Sequence, residues 1–87
     1  MAGIARVNID RAGGRNLLGG NSSVFANGAP VAVLKCPVAG HGDDEHSNPK
    51  MIQASGKVFA SGIPVCRQGD AALCGHRASG SPTVFAG

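Results

Sequence analysis

A short phrase, Val-Phe-Ala, occurs three times in this chain and constrains its fold more than any other feature. The copies are residues 24–26, 58–60 and 84–86, and they contain all three phenylalanines of the 87 residues. The first two copies are followed by Gly-x-Pro-Val, whereas the third is followed only by Gly87. Residues 1–10, at the other end of the chain, resemble the missing half. A phrase repeated in this way indicates a repeat architecture.

The division of the third copy predicts that the two ends of the chain meet in space. Three like units closed in a ring give pseudo-threefold symmetry within one polypeptide, and one unit is then split between the ends. Each unit is predicted to be a β-hairpin, because Val-Phe-Ala has strand propensity and Asn27-Gly28 and Ser61-Gly62 are tight-turn pairs. We expect the three phenylalanines and several valines to point inward and to form a narrow core.

Length and composition predict a single all-β domain over residues 1–87. No long segment places apolar residues at helical spacing, so at most one turn of helix is expected, at residues 49–54. Fourteen glycines and the absence of Trp and Tyr leave a small core. A chain of this size often adds a metal, disulfides or a partner for stability. Three cysteines, an odd number, do not close a disulfide framework and favour metal ligation or small buried roles.

The charge pattern disfavours a nucleic-acid-binding protein. The net charge is +3, but the eight Lys and Arg residues are scattered and form no basic run with interleaved aromatics. The first residues contain no apolar leader, and no later stretch has the length of a membrane span. We therefore expect a protein that is made in the cytoplasm without a signal peptide.

The histidines and two of the cysteines lie in two connections between units, residues 35–49 and 69–76. Neutral imidazole nitrogens and a thiolate suit Zn²⁺, and four protein ligands with no open position indicate a structural site. Gly75 allows the backbone to bend so that its two neighbours reach one ion. Iron is the less favoured metal for this donor set. The predicted zinc ligands are His41, His46, Cys74 and His76.

The other two cysteines have different expected roles. Cys36 is an alternative to Cys74 as the zinc ligand, because the pattern Cys-x4-His-x4-His that it begins has plausible ligand spacing. Cys74 is preferred, since it is next but one to His76. Cys66 occupies the position of Ala5 and Ala32 in the sister units and is expected to be a small buried residue.

The acidic residues are expected to be structural. Asp10 and Asp70 follow their hairpins at matching places and are predicted to cap turns. The acidic run of residues 43–45 in the long connection is expected to be solvated, although one carboxylate is a candidate acceptor for a hydrogen bond from a ligating imidazole. The run consists of Asp43, Asp44 and Glu45.

Together these phrases resemble the PAAR-repeat (proline-alanine-alanine-arginine) proteins, over residues 4–87. The resemblance rests on Gly-Ser-Pro-Thr-Val-Phe at 80–85, on Gly-x-Pro-x-x-Arg-x-Gly-Asp at 62–70, on Cys-Gly-His at 74–76 and on the histidines of the middle connection. No literal Pro-Ala-Ala-Arg occurs, and the nearest stretch is Pro-Val-Cys-Arg at 64–67. Residues 10–14 also lack the histidine that many members have after the first Gly-Asp.

The resemblance implies a small cone with Zn²⁺ near its apex. Such a cone caps the trimeric β-helical spike of a contractile injection machine, either a type VI secretion system or a contractile phage tail. The implied partner is a VgrG-like or phage central spike protein, with effector cargo as a further possibility. The tip then leaves the cell and touches the target membrane transiently while piercing the envelope. With no room for a toxin domain, we expect a bare tip.

Two other function classes remain open at this point. A small zinc hydrolase would use His41, His46 and His76 with water in the fourth position and Glu45 as the base. It would need an open coordination position in a pocket, and a short chain rich in Gly and Ala offers little wall for one. A zinc-stabilised binding module is the other alternative.

Overall fold

The described residues form eight short β-strands. The computed structural model describes residues 2–19, 21, 24–40, 42 and 49–86. No helix occurs in these ranges, and the turn of helix allowed at 49–54 is replaced by β-bridges at Lys50 and Met51. None of the described segments forms a helix long and apolar enough to span a membrane. The strands are β1 Ala2–Gly3, β2 Arg11–Ala12, β3 Gly14–Arg15, β4 Phe25–Ala26, β5 Ala29–Pro30, β6 Phe59–Ala60, β7 Ile63–Pro64 and β8 Phe85–Ala86.

Three antiparallel hairpins with the same register form the repeat. They are β4–β5, β6–β7 and β8–β1, so the two ends of the chain pair with each other as predicted. In each hairpin the phenylalanine lies opposite the last residue of the partner strand: Phe25↔Pro30, Phe59↔Pro64 and Phe85↔Gly3. Both central residues of the first two turns have positive φ, 53° and 81° in one and 53° and 78° in the other. This is the type I′ geometry that Asn-Gly and Ser-Gly pairs favour.

The segments that follow the hairpins close around a common axis. They are residues 4–6, 31–33 and 65–67, and each pairs with the next through an antiparallel bridge. The amide of Ala5 donates to the carbonyl of Cys66 at 2.9 Å, that of Ala32 to Ala5 at 2.9 Å, and that of Cys66 to Ala32 at 2.8 Å. These three residues, which we call the axial ring, are fully buried. Their closed cycle of hydrogen bonds confirms the pseudo-threefold fold.

The core differs from the prediction because the phenylalanines point outward. Phe25, Phe59 and Phe85 are 56%, 54% and 49% exposed. The alanine that follows each phenylalanine is buried instead, since successive side chains of a strand face opposite sides. The three segments lie close together around the axis and leave room for an alanine side chain but not for an aromatic one. The largest fully buried apolar side chains are Met51, Val31, Val33, Val38, Val65, Pro49, Cys36 and Cys66.

A tight turn follows each axial segment. Its left-handed residue is Asn8, Lys35 or Gly69, with φ of 64°, 67° and 92°. In two units an aspartate closes the turn. Its carboxylate accepts hydrogen bonds from the backbone amide and the guanidinium of the preceding arginine. Arg6 contacts Asp10 in this way and Arg67 contacts Asp70. The turn-capping role of the two aspartates is thereby confirmed.

Three loops leave these turns, and together we call them the loop layer. The short loop is residues 11–15, closed by β2–β3; the long loop is residues 37–50, closed by a Pro37↔Lys50 bridge; the Cys-His loop is residues 71–77, closed by an Ala71↔Arg77 bridge. The loops are joined cyclically by backbone hydrogen bonds: Leu17 N to Pro37 O at 2.8 Å, Ile52 N to Ala71 O at 3.0 Å, and Ser79 N to Arg11 O at 2.9 Å. The loops therefore obey the same threefold relation as the hairpins.

Candidate metal centre

The Cys-His loop bends sharply at Gly75. This glycine has φ of 93°, and a side chain added to it would meet nothing within 4 Å, so its conformation rather than space requires glycine. The Gly75 amide donates to Ala72 O at 2.9 Å, and the Ala72 amide donates to His76 O at 2.8 Å. Cys74 is half-buried and packs against the core, whereas His76 is exposed. A thiol and an imidazole thus flank one tight bend, as the sequence predicted.

The long loop is attached to the Cys-His loop at its C-terminal end. Met51 forms a bridge with Ala72, and the Leu73 amide donates to the carbonyl of Lys50 at 2.8 Å. Lys50 in turn pairs with Pro37 at the start of the long loop. The C-terminal stem of the segment that carries the other two histidines is therefore attached directly to the loop with Cys74 and His76, and the N-terminal stem is attached to it only through Lys50.

Half of the predicted ligand set lies outside the described residues. This half is His41 and His46, and the acidic residues Asp43, Asp44 and Glu45 are outside them as well. Within the described ranges, no three His, Cys, Asp or Glu side chains come together in a way that would hold a metal. Cys74 and His76 offer a sulfur and a nitrogen donor, which fit zinc, and need further donors to complete four-coordination.

Cys36 and Cys66 belong to the core rather than to the loop layer. Their exposures are 1% and 0%, and both belong to the buried apolar cluster. The hydrogen bond from Cys66 lowers the pKa of the Cys36 thiol. The same contact, followed by burial, raises the pKa of Cys66. Cys66 fills the place of Ala5 and Ala32 as expected, and the burial of Cys36 favours Cys74 as the zinc ligand.

The short loop carries no metal donor and is fixed by hydrogen bonds instead. The Ser79 hydroxyl donates to the Asp10 carboxylate at 2.8 Å, and the Arg11 amide donates to the Ser79 hydroxyl at 3.1 Å. Asp10 is only 3% exposed and already accepts from Arg6. This carboxylate serves the turn and is not poised for acid–base chemistry.

The burial of the polar residue Asn16 was not predicted from the sequence. It is completely buried, and within the described part of the chain neither its amide oxygen nor its amide nitrogen has a hydrogen-bond partner. Met51 and Ala78 occupy the equivalent positions, because all three amides donate to the carbonyl of the residue that closes the preceding turn. Only an alignment of the three loops, which differ in length, would have shown that this position faces inward.

The comparison with known families decides the identity of this fold. The PAAR motif matches residues 10–79, a range that contains two complete hairpins and all three loops. The chain belongs to the PAAR-motif family. A comparison with curated proteins finds no match. PAAR-motif proteins are structural spike-tip proteins rather than enzymes.

Residues 64–67, the stretch nearest to Pro-Ala-Ala-Arg, have different structural roles. Pro64 pairs with Phe59 in the hairpin, Val65 is buried beside Val33, and Cys66 completes the axial ring. The fourth residue, Arg67, holds the carboxylate of the turn-closing aspartate with its amide and its guanidinium. In this PAAR-motif protein the middle positions must be small and buried, whereas the arginine stabilises the turn that leads into the loop.

Proposed function

We propose that this PAAR-motif protein caps the trimeric β-helical spike of a contractile injection machine, in a type VI secretion system or a contractile phage tail. The observation that carries the proposal is the outward position of Phe25, Phe59 and Phe85. They occupy the same register in three symmetry-related hairpins, and about half of each side chain is exposed. Exposed aromatic side chains arranged in this way are typical of an interaction surface.

A pseudo-threefold chain suits a trimeric partner because the symmetries match. The blunt end of a trimer presents the same surface three times about one axis. Each phenylalanine of this chain can then meet an equivalent place on a different subunit, so that one chain satisfies one trimer. Val24 lies next to Phe25 and is also exposed, which extends the apolar surface of that hairpin. The partner on this proposal is a VgrG-like or phage central spike protein.

The loop layer on this proposal is the pointed end, held together by structural zinc. Zinc supplies a strong cross-link among loops where the core is too narrow for extensive apolar packing, and zinc-dependent small domains gain about 10–16 kcal/mol of apparent binding free energy from the metal. Cys74 and His76 would hold the ion from one loop, and His41 and His46 from the other. The proposed role of this PAAR-motif protein is mechanical, with no catalytic step.

On this proposal the protein acts outside the cell that makes it. A tip mounted on a spike leaves the producing cell with the spike and touches the target envelope briefly during piercing. The sides of the tip, including exposed Ile9, Leu18 and Ile52, remain accessible to effector cargo. These roles follow from the position at the end of the spike and depend on the docking of the hairpin face.

Binding to a purified trimeric VgrG-like spike protein tests the docking. Light scattering after size exclusion should give one chain per trimer. Changing all three phenylalanines to serine should weaken binding by more than about 100-fold, since interface aromatics each contribute on the order of 1–2 kcal/mol or more. The matched control is Leu73→Ser in the Cys-His loop, which removes a side chain that is 61% exposed and should leave the affinity unchanged. Equal binding by both variants, or three chains per trimer, would contradict the proposal.

A further inference from the structure

Two arginines lie directly opposite each other in the short loop. Arg11 of β2 pairs with Arg15 of β3, so both side chains project from the same face of this two-stranded ladder. Both arginines are exposed, whereas Ala12 and Gly14 on the other face are buried. Neither guanidinium forms an ion pair or a hydrogen bond within the described part of the chain. Two positive charges are thus held side by side with no carboxylate between them.

Backbone contacts with the neighbouring loops hold the two arginines in place. The Arg11 amide donates to the Ser79 hydroxyl at 3.1 Å, and the Ser79 amide donates to Arg11 O at 2.9 Å. The Ala39 amide donates to Arg15 O at 2.8 Å. Gly13, with φ of 87°, forms the tight turn that joins the two strands. The backbone therefore fixes the spacing of the two side chains, whose Cβ atoms in a directly opposite pair lie about 4.5–5.5 Å apart.

The pseudo-threefold relation shows that the fold does not require this pair. The equivalent bridges are Ala71↔Arg77 in the Cys-His loop and Pro37↔Lys50 in the long loop. Each loop thus has a cation at the second position, and only the short loop has one at the first position as well. Like charges directly opposite each other destabilise an antiparallel pair. The second arginine therefore lowers the stability of its hairpin, and an anion between the two guanidinium groups would remove that cost.

We propose that Arg11 and Arg15 form a binding site for one phosphate group, either inorganic phosphate or the phosphate monoester headgroup of a lipid. Each guanidinium presents its N–H donors in a planar fork that matches the oxygens of a phosphate, and two forks on one face can hold the group from two sides. A phosphate monoester carries about −1.5 to −2 charges at pH 7, which balances two arginines, whereas a carboxylate balances only one. This inference is independent of zinc binding and of the spike.

Titration of the full chain with inorganic phosphate tests the site. Chloride at equal ionic strength is the reference, because salt alone screens the repulsion between like charges. In ¹⁵N-edited NMR spectra the Nε–H signals of Arg11 and Arg15 should shift saturably, together with the amides of residues 11–15. Phosphate at about ten times its dissociation constant should raise the melting temperature by about 5–10 °C relative to chloride.

The decisive variant is Arg11→Ala, which installs the residue found at Ala71. It should fold like the wild type and bind phosphate at least about 10-fold more weakly, because hydrogen bonds between charged groups are lost. The matched control is Lys57→Ala, which removes one exposed cation elsewhere and should keep the full rise in melting temperature. An equal rise in Arg11→Ala and wild type would overturn the proposal. So would wild-type spectra in which the two Nε–H signals do not move, and these decide the question even if the variant fails to fold.

Vesicles of phosphatidylcholine with and without phosphatidic acid distinguish the two sources of phosphate. Cosedimentation that requires phosphatidic acid and is lost in Arg11→Ala assigns the site to a lipid headgroup. Saturable binding of inorganic phosphate without cosedimentation assigns it to free phosphate. Failure to bind either probe, or binding to the vesicles that Arg11→Ala retains unchanged, contradicts a phosphate site at these two arginines.

Discussion

Ala2 lies directly opposite Ala86 in the antiparallel pair of β1 and β8. The equivalent pair in the first unit is Ala29 and Ala26, which are joined by the two-residue turn Asn27-Gly28. The third hairpin therefore has the geometry of a continuous hairpin although its strands come from opposite ends of the chain. The closure of the threefold ring depends on this pairing.

A circular permutant should fold with near-native stability. Ala86 and Ala2 are joined by Asn-Gly, and the chain is opened between Asn27 and Gly28. Every strand pair and the axial ring are retained, because the new turn copies the one that is cut. We expect a melting temperature within about 5 °C of the parent, measured by circular dichroism. Opening the chain between Ala32 and Val33 instead interrupts the axial ring and should abolish cooperative unfolding; equal stability of the two permutants would refute the ring.

The axial ring should tolerate only small side chains. Ala32→Leu adds three carbon atoms at a site with no exposure, where two other backbones hydrogen-bond around it. Overpacking of this kind costs about 1–3 kcal/mol or more, and we expect the upper end, since no side chain there can move away. Urea unfolding measures the loss. Ala71→Leu, at a half-buried loop position, is the matched control with an expected cost below about 1 kcal/mol.

Much of the fold could be predicted because the repeat leaves few ways to close the chain. Ring closure, the two tight turns and the equivalence of Cys66 with alanine follow from aligning the three phrases. The direction of Phe25, Phe59 and Phe85 did not follow. A strand of two residues has one side chain on each face, so alternation allows either Phe or Ala to face inward. The narrow axial ring leaves room inside for Ala but not for Phe. Its width depends on how the three units assemble, which the sequence of one strand does not contain.

The candidate site was predictable where one residue determines local geometry. Gly75 indicated the bend between Cys74 and His76, and the turn-capping aspartates followed from their position after the hairpins. The burial of Cys36 was not predictable, because it depends on the register between two units that are distant in sequence. For the same reason the burial of Asn16 could not be predicted.

Removing one partner of the turn-closing ion pair in the second unit should destabilise the protein more than replacing both partners. Asp70→Ala removes the carboxylate that accepts from the Arg67 amide and guanidinium and should cost about 2 kcal/mol. The double variant Arg67→Val with Asp70→Ala imitates the first unit, where Val33 stands in place of arginine, and should cost less, about 1 kcal/mol. Urea unfolding of both variants measures the difference. A double variant that is less stable than Asp70→Ala would contradict this account.

The ion pair should also persist across a wide pH range. Its hydrogen bond with Asp70 raises the pKa of Arg67 above its ordinary value. A cation whose pKa is raised by folding stabilises the protein fully below its unfolded pKa, and the contribution is lost only as pH rises through the folded value. The stability difference between wild type and Asp70→Ala should therefore be the same at pH 7 and pH 10. A difference that shrinks between these pH values would argue against the pair.

Zinc analysis should separate Cys74 from Cys36 as the sulfur ligand. Cys74→Ser and His76→Ala each remove a proposed donor and should lower zinc affinity by more than about 100-fold, because even residues behind the ligands contribute 10–100-fold. Both variants should also melt at lower temperature in zinc buffer. Cys36→Ala should keep one zinc per chain, as should Leu73→Ala, which changes the same loop without removing a donor. Zinc loss in Cys36→Ala but not in Cys74→Ser would reverse the assignment.

Lys35 should be a position where one substitution stabilises the protein. It has φ of 67°, and its counterparts Asn8 and Gly69 are residue types that adopt this left-handed conformation more readily. Lys35→Asn should therefore raise the free energy of unfolding by about 0.5–1 kcal/mol, which corresponds to a rise of about 2–8 °C in melting temperature. Lys57→Asn is the control, since this exposed lysine has no positive φ, and it should change stability by less than about 0.5 kcal/mol. In the opposite direction, Gly69→Ala should lose about 1 kcal/mol although a side chain there meets nothing within 4 Å, because the cost lies in the backbone. If Lys35→Asn and Lys57→Asn have the same melting temperature, strain at residue 35 contributes nothing to the stability of the turn.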